Sequence, residues 1–385
     1  MADGNKDTMT SPPTTGLQLQ SLISASGTLE LSLVTMEIDP PTCDEVVVQI
    51  EAAPVNPSDL GLLLGPADLS TVETHGEGPS RRTTMRVPEA RIHAVAARFD
   101  KAMPVGNEGA GIVVAAGDHG KALLGRTVAL LGGGMYCEYR TVPASSCLAF
   151  PDDVTPAEAA ASFVNPLTAL GMIETMQSEG HSALIHTAAA SNLGQMLNRL
   201  CRKDRVALVN VVRTPAQAET LRNAGASYVC DSSADTFATE LTEAIYATNA
   251  TLAFDAIGGG RIASKILTAM ESAGSRRVSN YSVYGSAVHK QVYIYGGLDP
   301  SPTELTRSYG MAWGIGGWLL GRFIQKIGTS RAAALRERVV SEIRSTFVSH
   351  YTQSVGLADL LRPDVLQAIS RKATGAKYLV TPKRT

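Results

Sequence analysis

The feature that most constrains the fold is a regular alternation of strands and helices between residues 182 and 259. Apolar runs such as RVALVNVV (205–212) are separated by helical segments such as TPAQAETLRNAG (214–225). Strands that alternate with helices in this way form βαβ units, because parallel neighbours need a crossover connection and a helix supplies it. This part of the chain therefore predicts a doubly wound parallel sheet in an α/β domain.

The N-terminal third predicts a different architecture, which is built from short strands. LELSLVTMEI (29–38) alternates apolar and polar residues, and DEVVVQIEAAPV (44–55) and GAGIVVAAG (109–117) are further strand-like runs. Gly-rich turns at roughly ten-residue spacing are typical of a partly closed antiparallel barrel or sandwich. The tail GAKYLVTPK (375–383) returns to strand character and is predicted to rejoin this β-rich domain.

Two further segments complete the predicted organisation. Residues 1–16 are polar, small and Pro-rich, which predicts a disordered tail. Residues 66–103 form a long irregular segment, which is polar and Gly-rich at first and then has helix-like spacing in EARIHAVAARFDK (89–101). We expect an insertion that acts as a lid over a substrate pocket. The predicted domains are residues 17–165 with 331–385 for the β-rich domain, and residues 166–330 for the α/β domain.

Charge and composition argue against several classes of partner. The chain has 34 Lys and Arg against 36 Asp and Glu, and aromatic residues make up only 5%. No nucleic-acid partner is therefore predicted. Five cysteines without paired spacing predict a reducing compartment, the cytoplasm. The apolar stretch 311–324 has too short an uncharged run to span a bilayer, so we predict a buried or interface helix and no membrane contact.

The stretch HTAAASNLGQM (186–196) lies between a strand and a helix, where dinucleotide-binding domains carry a Gly-rich turn. Ala189, Ser191 and Gly194 keep the spacing of that turn and replace two glycines by the smallest alternatives. Backbone N–H groups at the helix N-terminus would bind a pyrophosphate, and Asn192 tolerates a left-handed φ within the turn. On this motif alone, an ordinary tight turn between a strand and a helix stays open.

The next strand indicates which dinucleotide the turn would bind. In NAD sites an Asp or Glu about 20 residues after the motif binds the ribose hydroxyls. Here Arg213 and Thr214 occupy that position. An Arg binds a 2′-phosphate bidentately and an acid would repel it, so NADP(H) is the predicted cofactor. The missing acid also argues against a methyltransferase, and a surface Arg at a strand end is the alternative interpretation.

Seven segments together resemble one known family. They are AAPVNPSDL (52–60), PVGNEGAGIVVAAG (104–117), GRTVALL (125–131), FVNPLTAL (163–170), AAASNLG (188–194), VNVVRTP (209–215) and NAGASYVCD (223–231). In this order they resemble the medium-chain dehydrogenases/reductases, and especially the zinc-free quinone oxidoreductases and 2-enoyl thioester reductases. The resemblance implies a GroES-like catalytic domain, a Rossmann-like NADP-binding domain and a homodimer through the edge strands of the Rossmann sheets. QVYIYGGL (291–298) would be that edge strand.

The resemblance also implies roles for individual residues. Asn56 would line the catalytic cleft, with a turn residue before Pro57 as the alternative, and Thr168 would place a hydroxyl near the nicotinamide or a phosphate. The other implied cofactor-binding residues are Ala189, Ser191, Asn192, Leu193, Gly194, Arg213, Ile257, Gly258, Gly259, Tyr284, Gly296, Gly297 and Leu298.

The sequence departs from the zinc-containing members of that family. Those members have a Cys near the position of Asn56, a His-Glu pair where this chain has Asn107-Glu108, and a four-cysteine loop. None of these is present, and the seven histidines show no ligand grouping. No metal is therefore predicted, because a catalytic zinc needs three converging protein ligands.

A second departure concerns the proton donor. In the enoyl reductases a Tyr follows the Asn-Pro-Ser-Asp segment and is the proposed donor, but Ala67 takes its place here. Tyr284, Tyr281 or Tyr136 could substitute, with a structural role as the alternative for each. Quinone reduction asks less of the protein, since the product oxygens take protons from water.

The sequence thus predicts an NADPH-dependent oxidoreductase that transfers hydride to a small quinone or α,β-unsaturated carbonyl acceptor without zinc. Two alternatives stay open. One is a 2-enoyl thioester reductase with a substituted proton donor. The other is a non-catalytic NADPH-binding sensor or structural protein on the same fold, because fold alone does not fix function.

Overall fold

The computed structural model describes residues 13–278, 282–371 and 375–383. Its contacts divide the chain into a β-rich unit, residues 1–162 and 350–385, and an α/β unit, residues 163–349. The N-terminal part of the β-rich unit contains β1 (Thr15–Ile23), β2 (Thr28–Glu37), β3 (Glu45–Pro54), α1 (Pro57–Leu63), β4 (Asp68–His75), β5 (Arg82–Arg86), α2 (Glu89–Ile92), β6 (Met103–Pro104), β7 (Glu108–Ala116), β8 (Thr127–Leu131), β9 (Tyr139–Pro143), β10 (Leu148–Ala149) and α3 (Pro156–Ala159).

The remaining elements follow in chain order. The α/β unit contains α4 (Val164–Ser178), β11 (Ala183–His186), α5 (Asn192–Asp204), β12 (Ala207–Val212), α6 (Pro215–Asn223), β13 (Tyr228–Asp231), α7 (Phe237–Thr248), β14 (Leu252–Asp255), β15 (Gly258–Gly260), α8 (Ile262–Ser275), β16 (Lys290–Ile294), β17 (Asp299–Thr303), β18 (Trp313–Gly317) and α9 (Leu320–Glu342). The C-terminal return to the β-rich unit adds β19 (Gln353–Val355), α10 (Pro363–Ser370) and β20 (Tyr378–Val380).

The observed division lies near the first predicted boundary, after residue 165, but not near the second, after residue 330. Helix α9 is kinked at Gly328, where its φ is 77°, and continues beyond the predicted boundary. Ion pairs then fix its second half within the α/β unit: Arg331 pairs with Glu174 of α4, and Arg338 pairs with Asp204 of α5. These contacts explain why residues 331–349 belong to the α/β unit.

The disordered tail predicted for residues 1–16 overlaps the first strand. Residues 1–12 lie outside the described residues, and β1 already begins at Thr15. Strand β1 pairs along its whole length with β2, from Thr15 opposite Glu37 to Ile23 opposite Leu29. Residues 15 and 16 are therefore part of a sheet.

Two antiparallel sheets form the core of the β-rich unit, as the alternating sequence pattern predicts. The first has the order β4-β5-β2-β1-β6, and the second follows β10-β8-β7-β3-β20-β19 with β9 also paired to β3. Only β19 and β20 pair in parallel within these sheets. Strand β3 is central to the second sheet, since β7, β9 and β20 all pair with it. Its end carries the polar residues described below.

Residues 66–103 are not an irregular insertion. Strands β4 and β5 form a hairpin within the first sheet, α2 begins at Glu89, and a 3-10 helix covers His93–Arg98. Thr83 and Met85 of β5 are buried, which ties the hairpin to the core. The prediction of irregular structure is wrong for the first part of this segment, where β4 and β5 pair, whereas the helix-like spacing over 89–101 agrees with α2 and the 3-10 helix. The lid function stays a prediction.

The α/β unit contains a sheet of six parallel strands in the order β13-β12-β11-β14-β16-β18. Numbered from β11, this is the order 3-2-1-4-5-6 of dinucleotide-binding domains. The predicted α/β fold class, a doubly wound parallel sheet together with a β-rich unit, is confirmed.

Two expectations for the edge of this sheet are wrong. Strand β16, within QVYIYGGL, lies between β14 and β18, so the edge strand on this side is β18. The stretch 311–324 forms β18 and the start of α9 rather than one buried or interface helix. Its glycine-rich run WGIGG favours an extended conformation, because glycine disfavours helix.

Residues 276–285, which follow α8, are described only in part. Helix α8 ends at Ser275, residues 279–281 lie outside the described residues, and 282–285 form a turn with Gly285 at φ 79°. The turn is held by Glu271 of α8, which accepts the backbone N–H of Ser286 at 2.7 Å. Within the described part of the chain, no helix is both long and apolar enough to cross a bilayer.

Candidate functional site

The turn after β11 has the geometry of a phosphate-binding turn. Ala188 has a left-handed φ of 50°, and Ser191 caps α5 by accepting the Gly194 N–H at 3.1 Å. The left-handed residue is Ala188 and not Asn192, which is already the first residue of the helix. The first-turn N–H groups of α5 therefore face the carboxyl end of β11, where they could bind an anion.

Gly194 is required by packing, which is the role of the third glycine in this class of turn. A Cβ at this position would lie 2.1 Å from the carbonyl oxygen of Ala189. Ala189 is itself fully buried, and its N–H donates to the Val211 carbonyl of β12 at 3.2 Å. Small residues thus allow the turn to lie close to both neighbouring strands.

A buried pair joins this turn to the end of β14. The Thr187 hydroxyl donates to the Asp255 carboxylate at 2.7 Å and accepts the Ala256 N–H at 2.8 Å. Asp255 also accepts the N–H groups of Ile257 and Gly258. The pair fixes the point at which the strand order of the sheet reverses, and ligands of open α/β sheets bind at such points. Sequence reasoning missed both residues, although Asp255 ends a strand three residues before Gly258.

The structure also brings together two predicted cofactor segments. Leu298 donates to the Ala256 carbonyl at 3.1 Å, and β15, which begins at Gly258, pairs with β17. A Cβ at Gly259 would lie 2.6 Å from the Ser301 carbonyl, and one at Gly296 would lie 2.7 Å from the Ala256 carbonyl. Gly297 has open space beside it. These glycines permit close backbone packing beside the turn after β11.

Arg213 follows the last residue of β12, and its side chain is exposed. Its backbone N–H donates to the Gln217 side chain at 3.1 Å, and Thr214 caps α6. Two residues earlier, Val211 contacts the turn through Ala189. The guanidinium is thus carried by a strand end that is bonded to the candidate phosphate turn.

Two other predicted residues lie in different elements. Thr168 is buried within α4, and its hydroxyl donates to the Val164 carbonyl at 2.5 Å. Tyr284 lies on the turn anchored by Glu271, with its side chain 71% exposed. Asn192 and Leu193 begin α5, where the Asn192 amide donates to the Ser349 hydroxyl at 3.2 Å.

The β-rich unit places its own polar cluster at the end of β3. Asn56 is buried, caps α1 and donates through Nδ2 to Glu108 Oε1 at 2.8 Å. Asp59 accepts the N–H groups of Asn56 at 2.7 Å and Asn107 at 2.8 Å. Burial raises the pKa of Asp59 to about 7, although these two hydrogen bonds act in the opposite direction. Asn56 is therefore both a turn residue and part of a buried polar group.

Tyr136 and Lys377 complete this cluster, and sequence reasoning missed the lysine. The Tyr136 hydroxyl is buried and donates to the Pro54 carbonyl at 3.2 Å. Burial and the carboxyl of Asp59 raise the pKa of Tyr136 well above its usual range. Burial lowers the pKa of Lys377 to about 8, although the carboxylates of Glu108 and Asp59 raise it.

The candidate proton donors that the structure describes lie in different environments. Tyr136 is a poor acid in this environment, because its hydroxyl is hydrogen bonded and its pKa is raised. Tyr284 is exposed, and Tyr281 lies outside the described residues. Ala67 packs its methyl group against the apolar core. Across residues 13–278, 282–371 and 375–383, no three His, Cys, Asp or Glu side chains form a metal-binding group.

Comparisons with known proteins agree with this architecture. Residues 42–152, which include β3, Asn56 and Glu108, match the family described as Alcohol dehydrogenase GroES-like domain. The β-rich unit thus contains a GroES-like domain of the alcohol dehydrogenase type.

Individual proteins are similar to this chain over different lengths. A mitochondrial enoyl-acyl-carrier-protein reductase of Xenopus tropicalis is 28% identical over 207 residues, 52% of this chain and 51% of the relative. The match thus spans about half the length of that relative. A Mesorhizobium loti structure, classed as an NADPH:quinone reductase, has a TM-score of 0.71 at 23% identity and covers 97% of this chain and 100% of its own. An Etr1p complex with NADP and crotonyl-CoA has a TM-score of 0.66 at 19% identity and covers 95% and 99%.

Proposed function

We propose that this chain is a medium-chain dehydrogenase/reductase, and that it is an NADPH-dependent enzyme that reduces a quinone or an α,β-unsaturated carbonyl compound without zinc. The observation that carries the proposal is the capped turn 187–194 with Arg213 at the end of the adjacent strand. Similar structures are classed as an NADPH:quinone reductase or hold NADP with crotonyl-CoA, which supports this acceptor class.

The turn fits the pyrophosphate of a dinucleotide in charge and in space. The N-terminus of α5 carries partial positive charge, because its first N–H groups have no acceptor within the helix. Ala189 and Ala190 present only methyl groups, so a phosphate can approach the backbone closely. Ser191 keeps its cap on Gly194 and fixes the direction of the helix.

Arg213 supplies the discrimination between the two nicotinamide dinucleotides. The neighbouring strand end offers a guanidinium where an NAD site would offer a carboxylate. A planar guanidinium donates two hydrogen bonds to a phosphate, which the 2′-phosphate of NADPH provides and NADH lacks.

The chemistry divides between cofactor and protein. Bound NADPH supplies the hydride, and the protein orients the acceptor and excludes water. Residues 257–259 and 296–298 would run beside the cofactor, Thr168 and Tyr284 would flank the nicotinamide, and Asn56 would contact the acceptor. The Ala67 side chain cannot donate a proton, which favours quinones over enoyl thioesters as substrates, because the oxygens of a reduced quinone take protons from water.

Further proposals concern the assembly and its location. A homodimer through the Rossmann sheets would use β18, which is the edge strand next to β16. The five cysteines are free, which agrees with a reducing compartment such as the cytoplasm. A non-catalytic NADPH sensor on the same fold is the rival function, and the turn supports that function equally well.

Arg213→Ala tests the cofactor assignment. We expect the free energy of NADPH binding to weaken by about 1.5–3 kcal/mol, since a charged hydrogen-bond partner is lost. NADH binding should change little, because NADH has no 2′-phosphate. Both dissociation constants can be measured by quenching of tryptophan fluorescence or by calorimetry.

The control is Arg371→Ala, which removes another exposed arginine, at the end of α10 in the β-rich unit. This variant should bind both cofactors like the wild type. Equal weakening of NADPH and NADH binding by Arg213→Ala would remove the basis for NADPH preference.

A further inference from the structure

A cavity of 710 Å³ lies within the α/β unit, beside the carboxyl ends of β16 and β18. It is lined by the end of α4, by residues 293–297 and 317–319, and by the first turns of α9. Every lining residue belongs to residues 163–349, so this unit forms the cavity by itself. The volume lies in the range of small-molecule binding sites, which is about 300–1,000 Å³.

One wall of the cavity consists of aromatic rings. The Trp318 indole N–H donates to the Thr175 hydroxyl at 3.1 Å, and the centre of the ring lies 5.6 Å from that of Phe323. Gly171 of α4 permits this arrangement, since a Cβ there would lie 2.8 Å from the Trp318 ring. Tyr293 of β16 adds a third ring to the wall. The cavity thus presents a preformed apolar surface, against which a flat ring system can pack.

Two positive charges line the same cavity. Arg322 and Lys326 project from α9, where a spacing of four residues places them on one face of the helix. Both residues are exposed, and neither has a hydrogen bond or an ion pair within the part of the chain that the structure describes. Arg331 and Arg338, further along the same helix, are both paired with carboxylates. The charges of Arg322 and Lys326 are therefore available to a ligand.

The acidic residue that lines the cavity is already engaged. Glu179 accepts the Tyr293 hydroxyl with both carboxylate oxygens, at 3.0 and 3.1 Å. Burial, together with this carboxylate, raises the pKa of Tyr293 to about 12, so the phenol keeps its proton. Two cations and one carboxylate leave the cavity with an excess of positive charge, which favours a ligand with a negative group.

We propose that this cavity binds the electron acceptor, and that Arg322 and Lys326 select an aromatic quinone that carries a carboxylate, sulfonate or phosphate group. The proposal rests on the proposed function, because Gly296 and Gly297 line the cavity and belong to the segment assigned to the cofactor. The quinone ring lies against Trp318, and its negative group lies near the two cations. Transfer of a hydride from NADPH and of one proton from water then gives the hydroquinone and NADP⁺.

The test compares two quinones with NADPH as reductant: naphthoquinone-2-sulfonate, and menadione, which carries an uncharged methyl group instead. In the double variant Arg322→Met with Lys326→Met, we expect KM for the sulfonate to rise about tenfold, because two charged partners are lost. KM for menadione should change much less, and the dissociation constant of NADPH should stay the same. Added salt should raise KM for the sulfonate in the wild type, since salt screens exposed charges.

Arg205→Met with Lys265→Met is the matched control. Both residues are exposed cations of the same unit, and neither lines the cavity. This control removes the same charge from the chain, so it separates binding in the cavity from an effect of net charge. It should keep the wild-type KM for both quinones. A rise in KM for the sulfonate as large as in the cavity variant would overturn the proposal.

Binding can also be followed without turnover through the fluorescence of Trp318. The chain has two tryptophans, so Trp313→Phe leaves Trp318 as the remaining one. Without NADPH, naphthoquinone-2-sulfonate should quench this fluorescence at lower concentrations than menadione does. Removal of the two cations in the same background should abolish the difference. Equal affinities for the two quinones before their removal would overturn the proposal.

The outcomes separate this proposal from the proposed function. NADPH oxidation with both quinones, with the same KM values in the wild type and the cavity variant, would overturn the selection by charge and leave the proposed function intact. NADPH binding without oxidation by any acceptor would overturn the proposed function, and the role of the cavity as acceptor site with it.

Discussion

The turn after β11 and the polar cluster at the end of β3 place functional groups at the ends of strands in opposite ways. In the turn, the residues are consecutive and small, and the ligand-binding groups are backbone N–H donors at the start of α5. In the cluster, Asn56, Asp59, Glu108 and Lys377 come from distant parts of the chain and meet as buried side chains. The turn is thus formed by residues that are adjacent in sequence, whereas the cluster is formed by residues that the tertiary fold brings together.

This difference decides how each site responds to its surroundings. The turn has no titratable side chain at its centre, so side-chain volume determines whether the turn can form. A single Cβ added at Gly194 would clash with the backbone of Ala189. The cluster holds several titratable groups away from water, so protonation controls it. We therefore expect large effects of pH on the cluster and large effects of side-chain volume on the turn.

The largest expected effect concerns Asp59, whose pKa is about 7 in the folded chain against an ordinary 3.8. Between these values the folded chain keeps a proton that the unfolded chain releases, so the free energy of unfolding falls as pH rises from about 4 to 7. Asp59→Asn does not titrate. Relative to this variant, the wild type should lose up to ~4 kcal/mol over that range in denaturant titrations.

The control for this comparison is Asp364→Asn, at an exposed site paired with Arg362. The pKa of Asp364 lies below its ordinary value, so the stability difference of this variant should change in the opposite direction and only slightly. A pH-independent difference between wild type and Asp59→Asn would show that the cluster does not hold a proton on this carboxyl.

A smaller but sharp effect is expected for Gly194→Ala. The added methyl group would lie 2.1 Å from the Ala189 carbonyl oxygen, so the turn or α5 must shift. We expect a loss of about 1–3 kcal/mol in stability, typical of overpacking, together with at least tenfold weaker NADPH binding. Thermal unfolding and fluorescence titration measure the two effects.

Gly321→Ala is the matched control, because this glycine lies in α9 with open space around it. Alanine there should be neutral or slightly stabilising, since alanine favours helix. Unchanged NADPH affinity in Gly194→Ala would mean that the turn is an ordinary connection between a strand and a helix.

The sequence predicted the fold well wherever a pattern is local. The alternation of strands and helices identified β11 to β14 with their connecting helices. The predictions were wrong where tertiary contacts determine the strand order or the domain boundary. The edge position of β18 depends on pairing with β16, and the second domain boundary depends on ion pairs of α9.

The candidate sites show the same limit. The turn was predicted because its residues are contiguous and each has a steric reason to be small. Lys377 could not be predicted, because only the pairing of β20 with β3 brings it beside Asn56, more than 300 residues earlier in the chain. The buried pair of Thr187 and Asp255 likewise depends on the adjacency of β11 and β14.

The central claim is that this chain transfers hydride from NADPH to a carbonyl-conjugated acceptor. The most direct measurement is the oxidation of NADPH and of 4-deuterated NADPH by the purified chain, with a panel of quinones and enones and with NADH as the comparison. We predict turnover that depends on the acceptor, prefers NADPH and shows a primary isotope effect. NADPH that binds tightly but is oxidised by no acceptor would contradict the claim and identify a non-catalytic NADPH-binding protein.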